Sequence, residues 1–167
     1  MGYTPLEGLV MGTRAGDLDP AIPVIMMKHH ASSPSKVDGI LNKESGLKGL
    51  SGISNDIRDI QSSSSPRAKL ALDVFCYRLI KYLGAYAAAL NGVDVIVFTA
   101  GIGENSAYVR ERVVSSLSYL GVVLDSKKNK ENKLIISSPK SKVVVCVIPT
   151  NESLMMAKET IKVLGMR

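Results

Sequence analysis

An α/β layered fold is what this sequence predicts, on three observations. Apolar residues recur at steps of three and four from Arg67 to about Leu90, the period of a long amphipathic helix. Two continuous apolar runs, Val93–Thr99 and KVVVCVIPT at 142–150, have the length and β-branched content of buried strands. Each run is followed at once by a helical pattern, so the second half reads strand–helix–strands–helix.

The elements follow in order. Residues 1–24 hold Gly8, Gly12 and Gly16 four apart, with Pro5, Pro20 and Pro23, which predicts an ordered loop with one short helical turn. Ala21–His29 and Ser35–Asn42 read as two short helices parted by the polar break ASSPS. His29 and His30 are sequence neighbours and cannot share a helix face, so they read as surface or packing residues rather than a metal pair. The stretch 46–60 is glycine-rich and then charged, with a short helix expected to start near Ser54 or Asn55. SSSSP at 62–66 is a joint, and Pro66 suits the first turn of the long helix.

That helix presents Leu72, Phe75 or Cys76, Leu79, Leu83, Tyr86 and Leu90, and ends at Asn91-Gly92. The continuously apolar strand 93–99 is expected to be buried on both faces. The next helix places Val109, Val113, Leu117 and Leu120 on one face and stops at Gly121. Short strands are expected at 122–124 and 133–137, with KKNKENK at 127–133 a solvated turn. The last helix, from Asn151, presents Leu154, Ala157 or Lys158, Ile161 and Leu164.

With 167 residues the chain is long enough to bury a real core. Its two cysteines lie far apart in apolar segments, which implies neither a disulfide framework nor a cysteine metal site and fits a reduced, cytoplasmic setting. No stretch reaches the length of a membrane span. The net charge of +6 is scattered, without aromatic interleaving, which argues against nucleic acid and for a small anionic ligand.

Four segments carry candidate chemistry. Gly101 and Gly103 follow a strand and precede a helix that Asn105 or Ser106 would cap, a place where backbone N–H groups attract phosphate. The turn lacks the third glycine of a dinucleotide fingerprint and the Gly-Lys-Ser/Thr of a Walker loop, so a purely structural turn stays open. Glu152, in TNES, also follows a strand. There it complements a helix dipole or, on the same sheet edge as the glycine turn, serves Mg²⁺ beside a phosphate. Arg14, in GTRAGD, is a solvated charge or, with little cover from its flanking glycines, a planar fork suited to a phosphoryl group. Asp56 and Arg58, in SNDIRDI, face a polar ligand or merely flank a helix start.

Taken together, MGYTPLEGLVMGTRAGDLDP, SNDIRDI, FTAGIGENSAYVRERV and IPTNESLMMAKET, in this order, resemble the acetate kinase family over essentially the whole chain. The likeness is to the family's C-terminal part, within the superfamily of acetate and sugar kinases, heat-shock cognates and actin. It implies an incomplete RNase H-like, actin-like ATPase domain: a mixed sheet with packed helices, truncated on its N-terminal side, over 1–167. It further implies reversible Mg²⁺-dependent phosphoryl transfer between ATP and acetate, giving ADP and acetyl phosphate. By the same likeness Arg14 matches the catalytic arginine, Asp56, Ile57 and Arg58 the adenosine contacts, and Gly101, Ile102, Gly103 and Asn105 the nucleotide turn. Glu152 matches the glutamate associated with Mg²⁺.

The family's N-terminal domain, with its acetate pocket, has no counterpart in this sequence, so the chain alone is expected to show no turnover. An alternative is a non-catalytic interaction module, because the family's C-terminal part also carries a dimer contact. A propionate or butyrate kinase is a further alternative, since the acyl pocket lies mostly in the absent part.

Overall fold

A computed structural model describes residues 2–29 and 32–165; His30, one of the paired histidines, lies outside them. The chain forms two compact units, Met1–Asn91 and Gly92–Arg167.

The first unit is helical and is built on one long helix. Its helices are α1 (Ala21–His29), α2 (Pro34–Gly39), α3 (Gly46–Ser51), α4 (Ile57–Ser62) and α5 (Pro66–Ala89). Helix α5 starts where its sequence says it should. The Ser65 hydroxyl accepts the Arg67 N–H at 3.3 Å, and Pro66 occupies the first turn without wasting a donor. The first half of α5 buries Ala68, Ala71, Leu72, Phe75 and Cys76, and α3 and α4 pack against the helix. Its predicted face does not stay buried. Tyr86 is 59% and Leu90 73% exposed, because the short helices that cover the first half do not extend that far.

Three local expectations are corrected. The glycine-rich stretch contains a helix, α3, because Gly46 and Gly52 sit outside its interior. Both adopt positive φ, at 64° and 66°, as the entry and the left-handed cap. Helix α4 is capped by Asp56 rather than Ser54 or Asn55, since the Ser54 hydroxyl is already spent on the Asp56 N–H at 3.0 Å. The expected helix 35–42 begins one residue earlier, with Ser33 as cap, and continues into a π-helical turn at Ile40–Glu44.

The second unit is α/β. Strands β1 (Val95–Phe98) and β2 (Val144–Val147) are parallel, with Val95 opposite Val144 and Phe98 opposite Val147. An antiparallel bridge from Ile135 to Cys146 makes the sheet mixed. The expectation of strands buried on both faces fails. Ile96, Phe98, Val145 and Val147 are buried, whereas Val95 and Val97 are 49% and 48% exposed. Valine stands on both faces, so composition does not disclose which face lacks cover.

Helices α6 (Ala100–Asn105) and α7 (Ala107–Ser115) follow β1, and a 3₁₀ turn at Ser118–Leu120 ends at Gly121, whose φ is 78°. Of the predicted apolar face, Val109 and Val113 on α7 and Leu117 just beyond its end are buried, whereas Leu120 lies in the 3₁₀ turn and is half-buried, because the helix stops at Ser115. The expected strands 122–124 and 133–137 reduce to isolated bridges. Between them the lysine-rich segment is not merely a turn. It holds helix α8 (Ser126–Lys130), because the Asp125 carboxylate caps the Lys127 and Lys128 N–H groups, both at 3.1 Å. Helix α9 (Glu152–Val163) begins at Asn151 as cap, and its predicted apolar face is exposed rather than buried. Among the described residues no helix is long and apolar enough to cross a membrane.

Candidate functional site

Arg14, Asp56, Ile57 and Arg58 belong to the first unit. Arg14 rides on a loop whose backbone is stitched down on both sides. The Met11 N–H donates to the Arg14 carbonyl at 3.1 Å, and the Ala15 N–H to Leu41 O at 3.0 Å. From the neighbouring turn, Ser45, Leu47 and Lys48 donate their N–H groups to the carbonyls of Thr13, Met11 and Gly12 at 2.9–3.0 Å. The Arg14 side chain is exposed and its guanidinium makes no hydrogen bond among the described residues. A fixed backbone carrying an uncommitted planar cation is what an anion contact requires.

Asp17, which the sequence left without a role, closes this loop. Its Oδ1 accepts the Gly8 N–H at 2.6 Å, while its own N–H donates to Gly8 O at 2.9 Å. Its Oδ2 accepts from the Tyr82 hydroxyl at 2.5 Å and from Arg78 Nη2 at 2.6 Å, both on α5. The tyrosine hydrogen bond, then the Gly8 N–H and the Arg78 charge, hold the Asp17 carboxyl below its ordinary value. A depressed carboxyl stabilises the fold above the ordinary value near 3.8, and that contribution is lost as pH falls through the native value. Asp17→Asn is therefore expected to lower the urea midpoint at pH 7, with the gap to wild type closing as pH drops below about 4. A gap of constant size across that range would remove the charge from the explanation.

The segment NDIR lies beside the Arg14 loop, with the Asn55 carbonyl 3.2 Å from where a Cβ on Gly12 would stand. Asp56 caps α4 through Arg58 N–H at 2.9 Å and pairs with the Arg58 guanidinium, Nε to Oδ1 at 3.0 Å. That pairing lowers the Asp56 carboxyl to about 2. Ile57 is buried in the first turn of α4.

Gly101, Ile102, Gly103, Asn105 and Glu152 belong to the second unit. The glycine turn is itself a helical turn, α6, and not an open loop. The left-handed residue at the strand-to-helix corner is Ala100, with φ of 59°, a conformation that costs a non-glycine residue about 1–2 kcal/mol. Strain of this kind gathers where a ligand is held. Ser106, one of the two expected caps, accepts the Val109 N–H at 3.3 Å and starts α7. Asn105 instead donates to Gly101 O at 2.9 Å. A Cβ on Gly101 would meet nothing within 4 Å, so the backbone there is open to approach.

The ends of β1 and β2 are tied together. Thr150 Oγ1 lies 2.6 Å from Thr99 Oγ1 and accepts the Ala100 N–H at 3.0 Å. The Thr150 N–H donates to Glu104 Oε1 at 2.8 Å. Parallel pairing therefore brings the glycine turn and the TNES segment to one sheet edge, as their shared position after a strand implies. Glu152 opens α9 with its carboxylate exposed and without a hydrogen bond among the described residues. No cluster of three or more His, Cys, Asp or Glu able to hold a metal occurs among those residues. One free carboxylate is still compatible with Mg²⁺, which keeps several waters and takes one or two protein carboxylates.

Comparison with known proteins agrees with this architecture. The acetokinase family model matches residues 1–158. The acetate kinase of Dictyoglomus thermophilum is 56% identical over 170 residues, covering 99% of this chain and 43% of that protein. That of Thermotoga maritima is 56% identical over 168 residues, covering 96% and 42%. The crystal structure of Porphyromonas gingivalis acetate kinase superposes with a TM-score of 0.90 at 44% identity, over 96% of this chain and 42% of that one. A propionate kinase from Francisella tularensis gives 0.89 at 41%, over 95% and 42%. The chain thus spans less than half the length of the curated relatives it matches. Its helices and small mixed sheet are part of an actin-like ATPase fold. A family match over nearly the whole chain, with structural likeness at this identity, leaves one conclusion: the chain belongs to the acetokinase family.

Proposed function

We propose that this chain supplies the nucleotide side of a kinase that transfers the γ-phosphoryl group of ATP to acetate, reversibly, giving ADP and acetyl phosphate. The observation that carries this reading is the joined edge of β1 and β2, which holds a glycine turn open at Gly101 and the segment bearing the free Glu152 carboxylate. In the forward step an acetate oxygen attacks the γ-phosphorus. The bond to the β–γ bridging oxygen breaks, and ADP leaves with that electron pair. Catalysis of such a step is positioning and charge neutralisation rather than covalent chemistry.

In this reading the Arg14 guanidinium meets the oxygens of the transferring group. The backbone of Gly101, Ile102 and Gly103, with Asn105, approaches the nucleotide, and Asp56, Ile57 and Arg58 contact the adenosine. Glu152 is the residue that would hold Mg²⁺, which neutralises phosphate charge when bound. The accompanying partner reading is a homodimer, favoured by the exposed Tyr77, Tyr86 and Leu90 along α5. Sedimentation velocity tests it, and a monomer at all concentrations counts against it.

Calorimetric titration with Mg-ADP tests the nucleotide assignment on the chain itself. Saturable binding is expected, and Gly101→Val is expected to weaken it at least about tenfold without moving the melting temperature, since its Cβ enters open space. Equal affinity in wild type and variant would take the nucleotide away from this turn.

A further inference from the structure

Arg110 is 0% exposed, and the roles assigned above make no use of it. It lies on α7, one turn beyond the Ser106 cap. Its Nε donates to Asn129 Oδ1 at 2.7 Å. Nη1 donates to the main-chain carbonyls of Gly103 and Glu104, each at 2.8 Å. Nη2 donates to Asn129 O at 2.7 Å and to Asn132 Oδ1. Five N–H donors thus meet five neutral acceptors, and no carboxylate pairs with the guanidinium among the described residues.

A buried charge without a counterion is tolerated only when its donors are fully supplied. Here three of the acceptors are carbonyls near the C-terminal ends of α6 and α8, where helix dipoles concentrate partial negative charge. The fork therefore ties the glycine turn to α8 from below. Above it, the Glu104 carboxylate is tied to the Thr150 N–H at 2.8 Å. Glu104 is held at both its carbonyl and its carboxylate, and the Gly101–Gly103 backbone lies immediately before it.

We propose that Arg110 is a positioning residue for the glycine turn, clamping the Gly103 and Glu104 carbonyls so that the turn keeps one orientation toward its ligand. The ligand's identity rests on the nucleotide reading above; the clamp does not. A residue that only filled the core between α7 and α8 would leave the turn free to move independently.

Hydrogen exchange on the whole chain separates the two, comparing wild type with Arg110→Lys and Asn132→Gly. Lysine keeps the charge but has three donors on a single nitrogen and cannot span both sets of acceptors. Asn132 already has φ of 51°, so glycine suits its backbone and only one acceptor is lost, which keeps a folded variant in hand. In Arg110→Lys the amides of residues 104–106, including the Ser106 N–H that bonds Ile102 O at 2.9 Å, are expected to exchange about tenfold faster, with β2 still protected. Asn132→Gly is expected to move the same amides in the same direction, by less. Mg-ADP affinity should fall in step with the exchange. Unchanged exchange at 104–106, or equal acceleration through α7, α8 and the sheet, would overturn the clamp. Absence of Mg-ADP binding in wild type would defeat the nucleotide reading alone, because the exchange data judge the clamp without it.

Discussion

Arg14→Ala is expected to lower kcat by about a thousandfold while leaving nucleotide affinity within about threefold. The setting for this measurement is a chimera in which the chain replaces the matched stretch of the Thermotoga maritima acetate kinase. The size of the effect follows from three features. The loop backbone is held by a hydrogen bond to Leu41 O and by others from the Ser45, Leu47 and Lys48 N–H groups, none of which involves the Arg14 side chain, so truncation leaves the loop in place. The guanidinium has no internal partner among the described residues, so its removal orphans no buried group. On the proposed reading, what is lost is a planar cation at the point where charge spreads over the transferring phosphoryl oxygens. Arg14→Lys restores a point charge without the fork and is expected to recover only part of the rate. An unchanged kcat in Arg14→Ala would remove this residue from the transition state.

The second large effect falls on stability. Gly46 has φ of 64°, and a Cβ there would stand 2.2 Å from Met11 O and 2.8 Å from Arg14 O. Both obstacles are backbone, held by the bonds that fix the Arg14 loop, so neither can swing aside. Left-handed strain and forced displacement together put the cost of Gly46→Ala at about 2–5 kcal/mol, read as a fall in the urea midpoint. The cost should not stop at stability. The Leu47 N–H to Met11 O bond, 2.9 Å long, and the Met11 N–H to Arg14 O bond must both yield, so the chimera is expected to lose kcat as well. Gly39→Ala is the control. It ends α2, its Cβ would meet nothing within 4 Å, and it is expected to be neutral or stabilising by up to about 1 kcal/mol. Equal midpoints for the two variants would contradict the close-approach argument.

The parts of the fold legible in the sequence are those set by local chemistry. Pro66 behind Ser65, followed by spacing of three and four, fixes the start and length of α5. Two apolar runs, each leading into a helix, gave away a parallel pair and hence the shared edge of the glycine turn and Glu152. Arg14 stood out because glycines flank it. What stayed hidden depends on residues far along the chain. Val95 and Val97 look like core and are exposed, because burial is set by what covers a face and not by the face itself. Asp17 meets Arg78 and Tyr82 more than 60 residues away, and nothing local marks that partnership. Helix α3 is not legible in a glycine-rich stretch, because Gly46 and Gly52 sit at ends that need positive φ, which composition alone does not show. Nothing in the local sequence marks Arg110 for burial, and only its acceptors on α6 and α8 disclose it.

The most direct test of the account is turnover by the unmutated chimera with ATP, Mg²⁺ and acetate. If this chain is the nucleotide side of an acetate kinase, acetyl phosphate should form with kcat within about tenfold of the intact Thermotoga maritima enzyme, since the exchanged stretch is 56% identical and its proposed site residues are retained in the chimera. A folded chimera that binds Mg-ADP yet forms no acetyl phosphate would contradict it.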